Sequence, residues 1–238
     1  MTFGLNKLPI YPPLYKYLRS YPQWRFAPPR VQVDCPLERI GTAYGGYALD
    51  SSSVGPECIV YSLGIGEDIS FDLALIHRFG VNIHAFDPTP RVKIWLSSQA
   101  IPEQFHFHDI GIAHFDGQAV FYLPRQSDFV SHSVIPARQY AQDSIQVPVI
   151  RLITAMRRLG HARIDILKID IEGEEYAVIE DLVKERIPVQ QILIEFHHRL
   201  SSIGTGKTRR VLSLLHEYGM RICYICSRME IFTLLRVK

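Results

Sequence analysis

Residues 59–68 read Ile-Val-Tyr-Ser-Leu-Gly-Ile-Gly-Glu-Asp. An apolar, β-branched run that breaks on glycines one residue apart is the pattern of a buried parallel strand turning sharply beneath a ligand. The glycines let backbone approach whatever lies there. Downstream, Ser70 is placed as an N-cap, Phe71, Ala74, Leu75 and Phe79 form one apolar stripe, and Gly80 stops the helix. A second apolar run, Val81 to Phe86, ends in Asp87. Strand, glycine turn, helix, strand and terminal carboxylate, the acid roughly twenty residues past Gly64, make the nucleoside-binding half of a doubly wound α/β fold. Asp87 is then positioned to accept hydrogen bonds from ribose hydroxyls.

Charge chooses among nucleosides. A pyrophosphate cofactor favours Gly-x-Gly-x-x-Gly, because the third glycine lets the phosphate-cradling helix pack closely. Here the third position is Ile69, and the turn continues Gly66-Glu67-Asp68, with carboxylates where a dinucleotide brings negative charge. S-adenosylmethionine has no phosphate and carries an ammonium and a sulfonium, so these residues favour it over a nicotinamide cofactor. A tight turn in an α/β protein with no nucleoside is the reading that the turn alone leaves open.

The chain has 238 residues, 47% of them hydrophobic, and a formal charge of +2. It can bury a full core, and one domain with an appendage is expected: a Tyr- and Pro-rich N-terminal segment and hairpin over residues 1–50, then the main domain over 51–238. So small a charge argues against a strong electrostatic grip on nucleic acid. No stretch has the length of a membrane span and the N-terminus lacks a secretion-signal layout, so a soluble cytoplasmic protein is expected, with no membrane partner and its oligomeric state open. Cys35, Cys58, Cys223 and Cys226 are too scattered for a disulfide scaffold. Cys223 and Cys226 have redox or metal spacing but lie in an apolar strand pattern.

Between these motifs the chain alternates. A hairpin is expected from Arg39 to Leu49 with its bend at Gly45-Gly46, a short helix near Val92 to Ser98, and a strand Phe105 to Asp109 whose histidines share one face. Asp109 stands where it can face an adenine amino group, with Ile110 against the ring. Asp116-Gly117 between alternating segments signals a hairpin from Ile112 to Leu123, and a hydrophilic loop through Ser131-His132-Ser133 hints at a substrate-side excursion. A strand Val147 to Ile150 and a helix Leu152 to Leu159 follow.

The second informative stretch is Ile164-Asp-Ile-Leu-Lys-Ile-Asp-Ile-Glu-Gly-Glu-Glu175. A buried strand carries Lys168 and delivers Asp170 and Glu172 at its exit, where ligands of open α/β sheets lie. With period two, Lys168 and Asp170 share a side and are expected to pair, whereas Glu174 and Glu175 suit the start of the next helix. Gln190 to Phe196 brings Glu195, His197 and His198 to the same rim. The apolar runs Arg221 to Ser227 and Glu230 to Arg236 are linked too briefly for a parallel crossover and must form an antiparallel hairpin.

Taken together, the chain resembles class I S-adenosylmethionine-dependent methyltransferases, and within them the FkbM methyltransferase family. The resemblance rests on Tyr-Ser-Leu-Gly-Ile-Gly (61 to 66), His-Ala-Phe-Asp-Pro-Thr-Pro (84 to 90), Leu-Lys-Ile-Asp-Ile-Glu-Gly-Glu-Glu (167 to 175) and Gly-Gly-Tyr (45 to 47), and covers about Arg39 to Ile194. It implies a Rossmann-like, mostly parallel seven-stranded sheet ending in the antiparallel C-terminal hairpin. It also implies that Gly64, Gly66 and Asp87 bind the cofactor's methionine end and ribose, Asp109 its adenine side, and that Asp170 stands near the methyl donor. Ser62 occupies the place where class I enzymes often carry an acid for the methionine ammonium, a role left to Glu67, Asp68 or Asp170. Tyr44 stands where an acid is expected before Gly-Gly-Tyr.

The reaction so implied is O-methylation of a hydroxyl on a sugar or natural-product small molecule. Lys168, Asp170, Glu172 and His197 are the catalytic candidates; Asp170 and Glu172 position acceptor and donor, and His197, with an ordinary imidazole pKa near 6.5, takes the proton. The chain shows no dedicated metal-ligand cluster, and no metal is expected. A metal-assisted version using Asp170, Glu172, Glu195 and His197, a nicotinamide dehydrogenase, and a non-catalytic methyltransferase-like binding protein are the alternatives.

Overall fold

The computed structural model describes residues 28–124, 140–200 and 203–237. The aromatic N-terminal segment and the Ser131-His132-Ser133 loop lie outside the described residues.

The hairpin at the start pairs β1 (Leu37–Ile40) with β2 (Tyr47–Asp50), antiparallel, around the Gly45-Gly46 bend. Next come β3 (Ile59–Leu63), α1 (Ser70–Phe79), β4 (Asn82–Phe86), α2 (Pro90–Leu96) and β5 (Phe105–His108). Then follow β6 (Gly111–Ala113), β7 (Gly117–Pro124), β8 (Tyr140–Arg151), α3 (Leu152–Leu159), β9 (Ile164–Ile169), α4 (Glu175–Lys184), β10 (Val189–Glu195), α5 (Gly204–Glu217), β11 (Met220–Ile225) and β12 (Ile231–Arg236). The fold is mixed α/β around a large, mostly parallel sheet. Its strand order is β11-β12-β10-β9-β3-β4-β5, with β12 antiparallel to both neighbours and the others from β10 to β5 parallel.

Period-two alternation gives each face of this sheet its own core. Val60, Ile83, Ile166 and Leu193 bury against α1 and α2 on one face, while Tyr61, Leu63, Leu167, Ile169, Ile192 and Ile194 bury with the residues of α3, α4 and α5 on the other. Parallel pairing sends the ends of β3, β4, β5, β9 and β10 to one edge, the edge that carries the site. No helix among the described residues is long and apolar enough to cross a membrane.

Local expectations are corrected at three points. Ser70 is the first helical residue rather than the cap; the Asp68 carboxylate accepts its amide at 2.8 Å. The helix expected near Val92 to Ser98 starts earlier, at Pro90, since proline suits the first helical position. The segments around Asp116-Gly117 do not pair with each other: β8 lies between β6 and β7, parallel to the first and antiparallel to the second. Asp116 instead accepts the Arg151 amide at 2.8 Å and the Thr154 hydroxyl at 3.0 Å, which ties the bend to the start of α3.

On the α3 face, register places Tyr61, His84 and His106 in one row, with His108 stacked beside them and His161 closing the end. Burial, with repulsion from neighbouring imidazoles, pushes His84 down to about 3, and burial also lowers His108 and His161. An imidazole held neutral contributes stability above its unfolded pKa near 6.5 and loses it as pH falls toward the folded value. Acid unfolding of the His84→Phe variant, followed by circular dichroism between pH 6.5 and 3, is therefore expected to show a flatter dependence on pH than wild type; an unchanged slope would contradict this.

Candidate active site at the strand tips

The glycine turn is held from both sides. Gly64 donates its amide to the Phe86 carbonyl of β4 at 2.9 Å, and Asp170 donates to the Leu63 carbonyl at 2.9 Å. Gly64 has φ +72°, and a Cβ built there would lie 1.8 Å from the Asp170 carbonyl oxygen. Gly66, φ +53°, faces open space, so the turn presents bare backbone at that point.

Asp87 holds this turn. One carboxylate oxygen accepts the Ile65 and Gly66 amides at 3.1 Å each, and the other accepts the Thr89 amide at 2.9 Å. The acid expected at the ribose thus already shapes the loop beneath it. Glu67 is engaged by the Arg91 guanidinium through both oxygens, at 2.7 and 3.1 Å. Asp68 accepts the Thr42 hydroxyl at 3.3 Å, and Asp109 is ion-paired with Lys93 at the surface. Ile110 is half-buried against the larger core.

Lys168 does not pair with Asp170. Strand β9 ends at Ile169, so the alternation that would put the two on one side stops before Asp170. The buried Lys168 ammonium donates to the Gly64 carbonyl at 2.6 Å and sits 5.5 Å from the centre of the Tyr47 ring. Its counter-charge beneath the turn is Asp72 of α1, fully buried. Burial pushes that carboxyl up, and Lys168 and the Ser62 hydroxyl hold it back. An acid therefore does stand behind the turn, supplied by the helix instead of by position 62.

Asp170, Glu172 and His197 come together at the ends of β9 and β10. His197 Nε2 lies 3.7 Å from Asp170 Oδ1 and 3.4 Å from Glu172 Oε2, and the Tyr47 hydroxyl donates to Asp170 Oδ2 at 3.4 Å. Glu172 has a left-handed backbone, φ 49°, a conformation that costs a non-glycine residue about 1–2 kcal/mol. Behind the cluster, Glu175 is fully buried and accepts the Gly173 amide at 2.7 Å, the His197 amide at 2.8 Å and His197 Nδ1 at 3.3 Å. Glu175, expected as a helix-start acid, is thus the anchor of the imidazole.

These neighbours change the proton affinities. Burial opposes charge on His197, but the bonded Glu175 carboxylate, with Glu172 and Asp170, outweighs it and raises the imidazole to about 10. The direction favours the protonated ring at neutral pH and argues against His197 as the first proton acceptor. Burial, with Asp170 beside it, raises Glu195 to about 7, the affinity that general-base work near neutrality requires. Burial and the same acids also push the Tyr47 phenol well up. Tyr47, Asp72 and Glu175 were missed in the sequence because their partners lie on other elements; the density of acids after Lys168 was the available signal.

Comparison with known proteins supplies the family. Residues 56–222 match the model of the methyltransferase FkbM domain. The human probable methyltransferase-like protein 24 is 27% identical over 68% of this chain and 40% of its own length, and its rat counterpart 28% over 59% and 33%. The chain thus spans well under half of the curated relatives it matches. Among solved structures, the FkbM methyltransferase of Methylobacillus flagellatus aligns with 13% identity and a TM-score of 0.45, covering 75% of this chain and 43% of that one. Aeropyrum pernix fibrillarin with natively bound S-adenosyl-L-methionine aligns with 12% identity and a TM-score of 0.38, covering 77% of this chain and 67% of that one. The family match spans more than half of the sequence and takes in every motif at the strand tips from the glycine turn to the His197 cluster, and the chain belongs to the FkbM methyltransferase family.

Proposed function

We propose that this chain is an S-adenosylmethionine-dependent methyltransferase that methylates a hydroxyl on a small molecule such as a sugar or natural product, in the doubly wound frame of class I enzymes. The observation that carries the reading is the bare backbone at Gly66 beside a rim of converging carboxylates, which fits a phosphate-free, cationic nucleoside and disfavours a pyrophosphate. Gly64 and Gly66 present the turn, Asp87 fixes it, and Ser62 with Asp72 supports it from behind. Asp109 and Ile110 extend the site along the tips of β4 and β5, and Asp68 joins it to the loop before β2.

When bound, S-adenosylmethionine supplies the electrophilic methyl group. The chain's own work is placement: Asp170 and Glu172 orient the acceptor oxygen and favour positive charge opposite it, and the hydroxyl proton passes to the carboxylates of this rim. Lys168 holds the turn through the Gly64 carbonyl, and His197 stands between Asp170 and Glu172. Correct placement alone is worth up to about 7–11 kcal/mol of barrier.

Calorimetry is expected to show S-adenosylmethionine and its demethylated product binding one site, with no heat from NAD. Asp170→Asn is expected to lower turnover against a panel of hydroxyl acceptors by roughly 100-fold, measured as release of demethylated product. Binding of NAD with silence from S-adenosylmethionine would overturn the assignment. Binding without turnover on any acceptor would favour the non-catalytic reading, to which the serine at position 62 points.

A further inference from the structure

We infer that Asp170, Glu172 and His197 form a binding site for a divalent first-row transition cation of the manganese, iron or zinc class. The sequence offers these residues only as scattered candidates, because two ligands leave β9 and the third follows β10. Folding brings one donor atom from each within 4.8 Å of the other two. Ligand atoms about 2.0–2.2 Å from one ion, at angles between a right angle and the tetrahedral value, stand about 3.0–3.5 Å apart. The imidazole is already near that spacing, at 3.4 Å from Glu172 and 3.7 Å from Asp170. Closing the remainder takes roughly 1 Å of movement from carboxylates that are only half-buried.

The buried member of the set is prepared for this work. His197 is 7% exposed, and its Nδ1 is bound to a carboxylate that is itself 0% exposed, which fixes the ring and turns Nε2 toward Asp170 and Glu172. A carboxylate behind a histidine is the arrangement that orients imidazole ligands at metal centres. Charge agrees. Glu175 and Glu195 add to the negative field of Asp170 and Glu172, whereas the Lys168 ammonium is directed at the Gly64 carbonyl. A divalent ion neutralises that excess. Two carboxylates and an imidazole suit manganese, iron or zinc; calcium and magnesium favour all-oxygen sets. The solvent side of both acids leaves positions for water or an acceptor oxygen.

The inference shares the rim with the proposed function but not its premise, since the ion site needs no nucleoside. Manganese titrated into the metal-free full chain, with free ion read by its electron paramagnetic resonance signal, is expected to show one site with a dissociation constant below about 1 mM. Asp170→Asn and Glu172→Gln are each expected to weaken it at least tenfold while keeping the wild-type circular dichroism spectrum. Glu103→Gln, a change at an exposed acid, is expected to leave it unaltered. No site in that range, or wild-type affinity in both cluster variants, would overturn the inference. Calorimetry with S-adenosylmethionine in chelator separates the readings. Nucleoside binding with manganese silent removes the ion site alone, and manganese binding with the nucleoside silent removes the proposed cofactor alone.

Discussion

Gly64→Ala is expected to cost this protein about 4 kcal/mol or more, enough to abolish folding in a chain of ordinary stability. A left-handed backbone penalises any side chain by about 1–2 kcal/mol. Here the added carbon would also meet the Asp170 carbonyl oxygen at 1.8 Å, in a region where β3, β4 and β9 are already hydrogen-bonded together. The turn can yield only by releasing the Phe86 or Leu63 bonds, and with them the Lys168 bond to the Gly64 carbonyl. Urea unfolding of the purified variant, or its failure to appear in the soluble fraction, checks this. Gly66→Ala supplies the contrast. Nothing lies within 4 Å of its added carbon, so stability is expected to fall by only about 1–2 kcal/mol, the left-handed penalty, while S-adenosylmethionine affinity falls sharply. Equal loss of folding in both variants would contradict the account of the turn.

The second large effect is expected from a change that looks conservative, Glu175→Gln. Both carboxylate oxygens of Glu175 accept backbone amides, Gly173 on one and His197 on the other, with His197 Nδ1 sharing the second. A glutamine keeps one acceptor and turns a donor toward the other amide, leaving two buried donors face to face. It also removes the counter-charge of the imidazolium. Loss of one partner from a buried charged network costs about 3–5 kcal/mol. The midpoint in urea should move accordingly with an unchanged slope, and His197 should titrate at lower pH by nuclear magnetic resonance. An unmoved histidine would show that Glu175 does not set its charge.

What could be read from sequence follows the range of the forces involved. The C-terminal ends of helices α1 and α3 were legible to the residue because they are local events: Gly80 and Gly160 take the left-handed conformation that stops each one, with φ 68° and 74°. The parallel strands were legible from their apolar runs, and the acids at their tips from the same lines of sequence. Strand pairing was not. Asp116-Gly117 has the composition of a hairpin bend, yet the better partner for both flanking segments is β8, which follows later in the chain. Lys168 and Asp170 failed as a pair because period two holds only while the strand lasts. The proton affinities of His197 and Glu195 depend on carboxylates from other elements, and no local pattern reports them.

The hairpin of β1 and β2 is fastened to the far end of the chain. Asp50 and Gln191 exchange hydrogen bonds between backbone and side chain at 3.1 and 2.7 Å, and the Thr233 hydroxyl donates to the Ala48 carbonyl across 185 positions. Tyr47, which reaches Asp170, lies next to the Ala48 clasp. During synthesis the hairpin is therefore fastened only once β12 has emerged, and closing so long a span is slow. A ribosome-bound chain halted before residue 233 would carry the glycine turn and its neighbouring acids without the Thr233 clasp on the hairpin, so that assembly of the tips and fastening of the hairpin are separate events in time.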